Sequence, residues 1–336
     1  MVADANQNEF PGQTFSASGS IAKVGELLKA VVGYFALPLA LPLIFLQECL
    51  AWFRLTTGLS NRSLEGKVVL ITGASCGIGE SLATYFYRAG CRLILAARRK
   101  QELERVRDSL VRMQTNGKVY VPAVLELDLA DLTSIPSKAN AALAIYDTVD
   151  ILVNNAGIFN RGSVLDTIME VDQQVMNVNY FGALALTKVI GNHMLKQSAG
   201  HIVFMSSVVG KISIPNSAAY AASKHALQAL ADSLRAEVAS KGIKVTVISP
   251  SFVKTDITVN AFTTSGEKYG RMTKEVASGY TPEYVAERTF KAVVNEESDV
   301  VIAPLTHKAL IYIRTFLSSI FFIIMKFYAR RFRKEQ

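Results

Sequence analysis

The sequence predicts a doubly wound α/β fold, a Rossmann-type parallel sheet of about seven strands with helices on both faces, and two observations carry that expectation. Between Gly66 and about Pro304, apolar runs of strand length alternate with longer segments of helical pattern. The runs are nearly continuous Val, Ile and Leu, as strands covered on both faces require.

Taken in order, the expected strands are Lys67–Thr72 (KVVLIT), Arg92–Ala97 (RLILAA), Val119–Leu127, Asp150–Asn154 (DILVN), His201–Ser206 (HIVFMS), Lys244–Ser249 (KVTVIS) and Asp299–Ala303. Helix-compatible segments lie between them at Gly77–Ala89, Lys100–Gln114, Asp131–Tyr146, Asp166–Lys196, Ala218–Ser240 and Pro282–Asn295. The least regular stretch, Ser251–Gly279, clusters Gly, Thr and charged residues near strand ends that form the ligand crevice of such folds. It reads as a mobile substrate lid or as an ordinary surface loop.

With 336 residues the chain accommodates one such domain plus additions at both ends. Five segments follow: a polar stretch 1–29, a hydrophobic anchor 30–53, a linker 54–65, the folded domain 66–305, and an apolar and basic segment 306–336. From Ala30 to Gln47 eighteen residues pass without a charge. A helix of that length extends about 27 Å, marginal against a hydrocarbon core of about 30 Å. Pro38 and Pro42 would kink it. A single membrane span is the preferred reading, an interfacial anchor or a buried helix the alternatives. The second apolar run, Ala309–Met325, is interrupted by Arg314 and followed by basic residues. It reads as an interfacial amphipathic segment resting on membrane lipid, with a helix packed on the domain as the alternative.

The net charge of +8 does not imply nucleic acid. Residues 326–336 carry Lys326, Arg330, Arg331, Arg333 and Lys334 against Glu335, a basic cluster that follows an apolar run and suits an anionic membrane surface. Helix-turn-helix and zinc-finger spacings are absent from the sequence. The three cysteines, Cys49, Cys76 and Cys91, form neither a disulfide pattern nor a metal-ligand spacing, so no metal is expected.

Directly after the first strand comes Thr72-Gly73-Ala74-Ser75-Cys76-Gly77-Ile78-Gly79. Glycines there permit a tight turn and close backbone approach to a pyrophosphate, and the next helix offers free amides at its N-terminus. Gly73, Ser75, Cys76, Gly77, Ile78 and Gly79 are therefore candidate cofactor contacts. The second strand ends Ala97-Arg98-Arg99-Lys100 without an acid. Arg98, a planar cationic fork, suits the 2′-phosphate of NADP(H), with NAD(H) as the alternative. Asp128 and Leu129 close the third strand and Asn154-Asn155-Ala156-Gly157 the fourth. Asp128 could accept from an adenine amino group, and Asn155 lies where backbone meets cofactor.

Ser207, Tyr220 and Lys224 form the strongest constellation. Tyr220 and Lys224 are four apart and share one helix face, and Ser207 stands at the end of a strand. A tyrosine whose pKa lies near about 10 is a poor base at neutral pH. A neighbouring ammonium is expected to lower it and make proton exchange with a carbinol practical.

TGASCGIG, DLADL, NNAG, NVNYFG, Ser207, Tyr220 to Lys224 (YAASK) and Ser249 to Ser251 (SPS) occur in order over about residues 66–305, and this series resembles the short-chain dehydrogenase/reductase family. More narrowly, NYFGALALTK, GKISIP, AYAASKHA, LRAE and KVTVISP resemble its membrane-associated dehydrogenase/reductase family member 7 subgroup, the B type above all. The resemblance implies catalytic roles for Asn179, Ser207, Tyr220 and Lys224. Asn179 would maintain a water-linked proton relay, Ser207 bind the substrate oxygen, Tyr220 transfer the proton, and Lys224 also hold the nicotinamide ribose. Val253 and Thr255 would approach the nicotinamide carboxamide and phosphate. Ser251 departs from the family pattern, where glycine commonly follows the proline.

The expected activity is hydride transfer between NADP(H) and a carbonyl or secondary alcohol. A lipophilic ketone or aldehyde, of steroid, retinoid or acyl/alkyl-dihydroxyacetone phosphate type, is the expected substrate. The endoplasmic reticulum membrane is the expected location and the peroxisomal membrane the alternative. A homodimer is an open alternative to a monomer. The rival reading, a cofactor-binding regulator or scaffold with weak turnover, is opposed by the complete catalytic set.

Overall fold

The computed structural model describes residues 62–115 and 117–332, together with Pro42, Phe45, Leu46 and Cys49. Contacts divide the chain into Met1–Leu59 and Ser60–Gln336. In the first unit the four described residues are helical, and the rest of the expected anchor lies outside the described residues. Among the described residues, no helix is long and apolar enough to cross a membrane.

In the second unit the strands are β1 (Val68–Thr72), β2 (Arg92–Ala97), β3 (Ala123–Glu126), β4 (Ile151–Asn154), β5 (Gly200–Met205), β6 (Ile243–Pro250) and β7 (Asp299–Ile302). They form one sheet in the order β3-β2-β1-β4-β5-β6-β7, and every pairing is parallel. The chain builds outward from β1 to β3, then returns to the other side of β1 with β4. That reversal opens a crevice beyond the carboxyl ends of β1 and β4. Successive residues face opposite layers: Val69 and Ile71 join one buried cluster, Val68 and Leu70 the other.

The helices covering the sheet are α1 (Gly77–Arg88), α2 (Lys100–Val111), α3 (Ile135–Tyr146), α4 (Met169–Met176), α5 (Ala183–Gln197), α6 (Ala218–Glu237), the short α7 (Lys274–Ala277) and α8 (Pro282–Val294). Helix α1 buries Leu82, Ala83, Phe86 and Tyr87, a stripe at helical spacing. Phe86 meets Phe290 of α8 edge-on, with ring centroids 5.3 Å apart.

Two expected elements are corrected. Strand β3 is shorter than Val119–Leu127, because Pro122 has no N–H to contribute to a ladder and β3 lies at the sheet edge. The single helix expected over Asp166–Lys196 is broken by a π-helical segment, Asn177–Gly182, between α4 and α5. Asn179 lies within it and is buried, held by side-chain hydrogen bonds to the chain beyond β4. A β-carbon on Gly182 would stand 2.5 Å from the Leu129 carbonyl oxygen, so only glycine lets this turn approach the end of β3.

After β7 come α9 (Leu305–Phe316) and α10 (Ser318–Phe332). The expected interfacial segment Ala309–Met325 falls within this pair, and one side of it docks on the domain. Phe321, 2 % exposed, packs with Val208 and Ile212, flanked by partly buried Leu310, Ile313 and Met325. Phe316, Leu317, Ile320, Phe322, Ile323 and Phe327 remain exposed. Arg314, which interrupts the apolar run in sequence, lies over the rings of Phe321 and Phe322 at 5.8 and 5.1 Å, where a cation is attracted by the ring faces.

Candidate active site

Thr72, fully buried at the end of β1, ties the two edges of the crevice together. Its hydroxyl accepts from the backbone N–H groups of Asn155 and Ala156 at 3.0 and 3.1 Å. The Asn155 amide in turn donates to the Thr72 carbonyl at 2.9 Å. The glycine loop leaves this clamp with Gly73 at φ +67° and Gly77 at φ +58°, values that favour glycine. A β-carbon on Gly79 would fall 2.2 Å from the Gly73 carbonyl oxygen. The loop is thus pulled tight over the start of α1, whose N-cap residue, Cys76, makes no side-chain cap. Free helix amides and a close backbone fit a pyrophosphate. Val253 is buried, and Thr255 approaches Gly77 so closely that a β-carbon there would meet its methyl at 3.1 Å. The loop after β6 therefore faces the glycine loop, as expected.

Asp128 is half-buried, with one carboxylate oxygen accepting from the Ala130 N–H at 2.9 Å. Arg98 is exposed. Arg99 is the side chain that reaches the glycine loop, donating to Ser75 Oγ at 3.4 Å and approaching Cys76 Sγ at 3.6 Å. Arg105 of α2 braces the same loop by donating to the Ser75 carbonyl and to Glu80. Neither contact is legible in the sequence, where Arg99 belongs to a basic helix start and Arg105 to a charged helix, both of which normally face solvent.

Beside the crevice lies a cavity of about 280 Å³ that Ser207, Tyr220 and Lys224 share with Asn155 and Gly157. Ser207 follows β5, and its hydroxyl donates to the Pro250 carbonyl at 3.2 Å. Tyr220 and Lys224 project from α6, with Lys224 Nζ 5.6 Å from the centre of the Tyr220 ring. Asn179 Oδ1 accepts from the Ile158 N–H at 2.8 Å, and Asn179 Nδ2 donates to the Ile158 carbonyl and to Ser223 Oγ. The Ser223 hydroxyl donates to the Tyr220 carbonyl at 2.7 Å. Asn179 thus joins the chain after β4 to the helix turn that carries Tyr220.

The expected electrostatics are reversed. Desolvation pushes the Tyr220 phenol up to about 12 against the opposing pull of the Ser207 hydroxyl, and pushes the Lys224 amine down to about 8. Lys224 Nζ donates to the Met205 carbonyl at 2.8 Å. Burial of both groups disfavours both charges, so the ammonium does not depress the phenol.

Two further residues carried no sequence signal. Asn160, 2 % exposed, accepts the Tyr220 backbone N–H through Oδ1 at 3.1 Å. His307, at the start of α9, lines the cavity and bonds Ser251 Oγ through Nδ1 at 2.7 Å. Each partner lies more than fifty positions away, beyond the reach of any local motif.

The family model for short chain dehydrogenases matches residues 67–266. The chain belongs to the short-chain dehydrogenase/reductase family. Within that family it falls in the dehydrogenase/reductase 7 subgroup. It is 49% identical over 295 residues to Dehydrogenase/reductase SDR family protein 7-like of Drosophila melanogaster, covering 88% of this chain and 89% of the fly protein. It is 41% identical to the mouse Dehydrogenase/reductase SDR family member 7B, over 93% of this chain and 97% of that one. Among solved structures, a short-chain dehydrogenase/reductase from Burkholderia phymatum in complex with NAD superposes with a TM-score of 0.67 at 26% identity. That match covers 76% of this chain and 94% of the other. A putative NAD(P)-dependent gluconate 5-dehydrogenase from Beutenbergia cavernae with bound NADP gives 0.61 at 30% identity, covering 71% and 96%. This short-chain dehydrogenase/reductase is accordingly an oxidoreductase that acts on CH–OH or C=O groups with a nicotinamide cofactor.

Proposed function

We propose that the chain reduces lipophilic ketones or aldehydes with NADPH at a membrane surface. The observation that carries this reading is the cavity shared by Ser207, Tyr220 and Lys224, which borders the glycine crevice and is lined in part by apolar side chains of α9 and α10. Gly73, Ser75, Cys76, Gly77, Ile78 and Gly79 would hold the pyrophosphate, Asp128 and Leu129 the adenine side, and Asn155, Val253 and Thr255 the nicotinamide side. Bound there, the cofactor supplies the hydride. Ser207 orients the carbonyl oxygen by hydrogen bonding, and Tyr220 holds the proton that the oxygen receives. A neutral phenol at physiological pH is already in the donating form, which favours reduction. Lys224 fixes the ribose side, and Asn179 holds the α6 turn in place.

Arg98 and Arg99, at a strand end whose sequence carries no acid, support NADP(H) over NAD(H). Membrane attachment rests on the apolar sequence 30–53 and on the exposed face of α9 and α10 beside Lys326 and Arg330. The chemical assignment is tested with Tyr220→Phe. The variant should retain cofactor affinity and lose about 10²–10⁴-fold in turnover of lipophilic ketones. Near-normal turnover would overturn the assignment.

A further inference from the structure

Helices α9 and α10 contribute Leu310, Ile324 and Met325 to the cavity wall, with His307 and Tyr328 as their polar members. His307 is held from two directions. Its Nδ1 bonds Ser251 Oγ at 2.7 Å, and its ring meets Phe252 edge-on with centroids 5.9 Å apart. Ser251 is itself fixed, because its backbone N–H donates to the Ile302 carbonyl at 2.9 Å. The preceding residue, Pro250, accepts the Ser207 hydroxyl through its carbonyl. Ser207 and His307 are therefore tied to adjacent residues of one short loop.

We propose that His307 is a second polar contact for the substrate, selecting carbonyl compounds that carry another oxygen function, a hydroxyl, ether or ester, on an otherwise apolar skeleton. The inference rests on the reductase reading of the cavity. With Nδ1 engaged by Ser251, Nε2 is the ring's remaining polar atom. Burial lowers the imidazole from its ordinary range, so it is neutral at physiological pH, and a neutral ring offers one donor and one acceptor. Nε2 thus recognises an uncharged oxygen group whichever tautomer Ser251 stabilises. In a mainly apolar pocket, a few fixed polar groups set ligand orientation. An oxygen bound at His307 places the carbonyl relative to Ser207 through a connection two residues long. Glycine at 251 would leave Nδ1 without this partner.

The test uses the full chain with NADPH and matched medium-chain ketones that differ only in a hydroxyl placed at successive distances from the carbonyl. At one spacing the native enzyme should prefer the hydroxylated ketone by about five- to tenfold in kcat/KM, the scale of one net hydrogen bond. His307→Phe should erase that preference, so that the two members of each pair are turned over alike in the variant, with the larger loss falling on the hydroxylated ketone. His307→Gln should retain part of it, and Ser251→Ala should weaken it. No preference at any spacing, or an equal loss for both members of a pair in His307→Phe, would overturn the proposal. If none of the ketones is turned over, the reductase reading fails. Equilibrium affinities of the same pairs for the native and His307→Phe proteins then decide the subsite. Equal affinities would reject it.

Discussion

Asn160 holds Tyr220 by its backbone: the buried amide oxygen accepts the Tyr220 N–H at 3.1 Å, in the first turn of α6. Such a turn has N–H groups with no partner inside the helix, and the usual local cap is absent, since Ser217 makes no side-chain cap. A residue sixty positions earlier takes that part. Asn160→Ala should cost about 1–3 kcal/mol by leaving a donor unpaired. It should also lower kcat more than cofactor affinity. Asn160→Asp keeps an acceptor and should restore much of both. Urea unfolding with steady-state kinetics checks this, and an unchanged kcat in the Ala variant would show that the cap does not set the tyrosine's position.

His201, on β5 and 7 % exposed, gives the fold a dependence on pH. The Thr246 hydroxyl donates to the Glu297 carbonyl, so it accepts from His201 Nε2, which must carry the proton of the neutral ring. Desolvation, then Arg62 and Lys244, push this imidazole down to about 4. The folded state thus binds fewer protons than the unfolded one between that value and the ordinary histidine value. The stability contribution is complete above about pH 6.5 and declines toward pH 4 with a slope of up to about 1.4 kcal/mol per pH unit. Urea midpoints across this range should show the slope in the native chain, and His201→Gln should remove that component. An equal decline in His201→Gln would assign the effect to other groups.

Gly79→Ala should separate cofactor binding from folding. The added β-carbon meets a backbone carbonyl at 2.2 Å, so the glycine loop must shift, at a cost of about 1–3 kcal/mol. The shift falls where a pyrophosphate would rest, so NADPH affinity should fall by about tenfold or more. Fluorescence titration of NADPH measures it, with circular dichroism reporting the fold. Unaltered affinity would place the pyrophosphate elsewhere.

The proposed preference for NADP(H) rests on the two arginines after β2. Arg99 touches the glycine loop and Arg98 is exposed. Arg98→Ala and Arg99→Ala should each weaken NADPH by about tenfold, the scale of a hydrogen bond to a charged group, and NADH by much less. Equal losses for both cofactors would mean that these charges shape the loop without reading the 2′-phosphate.

Most of the sheet was legible because a strand buried on both faces must be written as a continuous apolar run. Arg92–Ala97 agrees residue for residue. The motifs at Gly73–Gly79 and Tyr220–Lys224 were equally readable, since their chemistry depends on local spacing. The π-helical turn was not, because a helix and a helix with one inserted residue share nearly the same apolar pattern. Asn179 within it is held by Ile158, twenty-one residues away. The pairs Asn160–Tyr220 and Ser251–His307 were hidden for the same reason. The protonation states of Tyr220 and Lys224 follow from their burial in the folded protein, which spacing along the sequence does not contain.

The wall formed by α9 and α10 comes after every strand in the chain. The residues of the nucleotide crevice are complete in sequence once the loop after β6 is reached, ahead of the wall against which a substrate would rest. Residues 305–332 contribute to the cavity wall and to no strand, so variation in this tail should alter which molecules enter more than how the cofactor is held, as long as Phe321 keeps its seat on Val208 and Ile212.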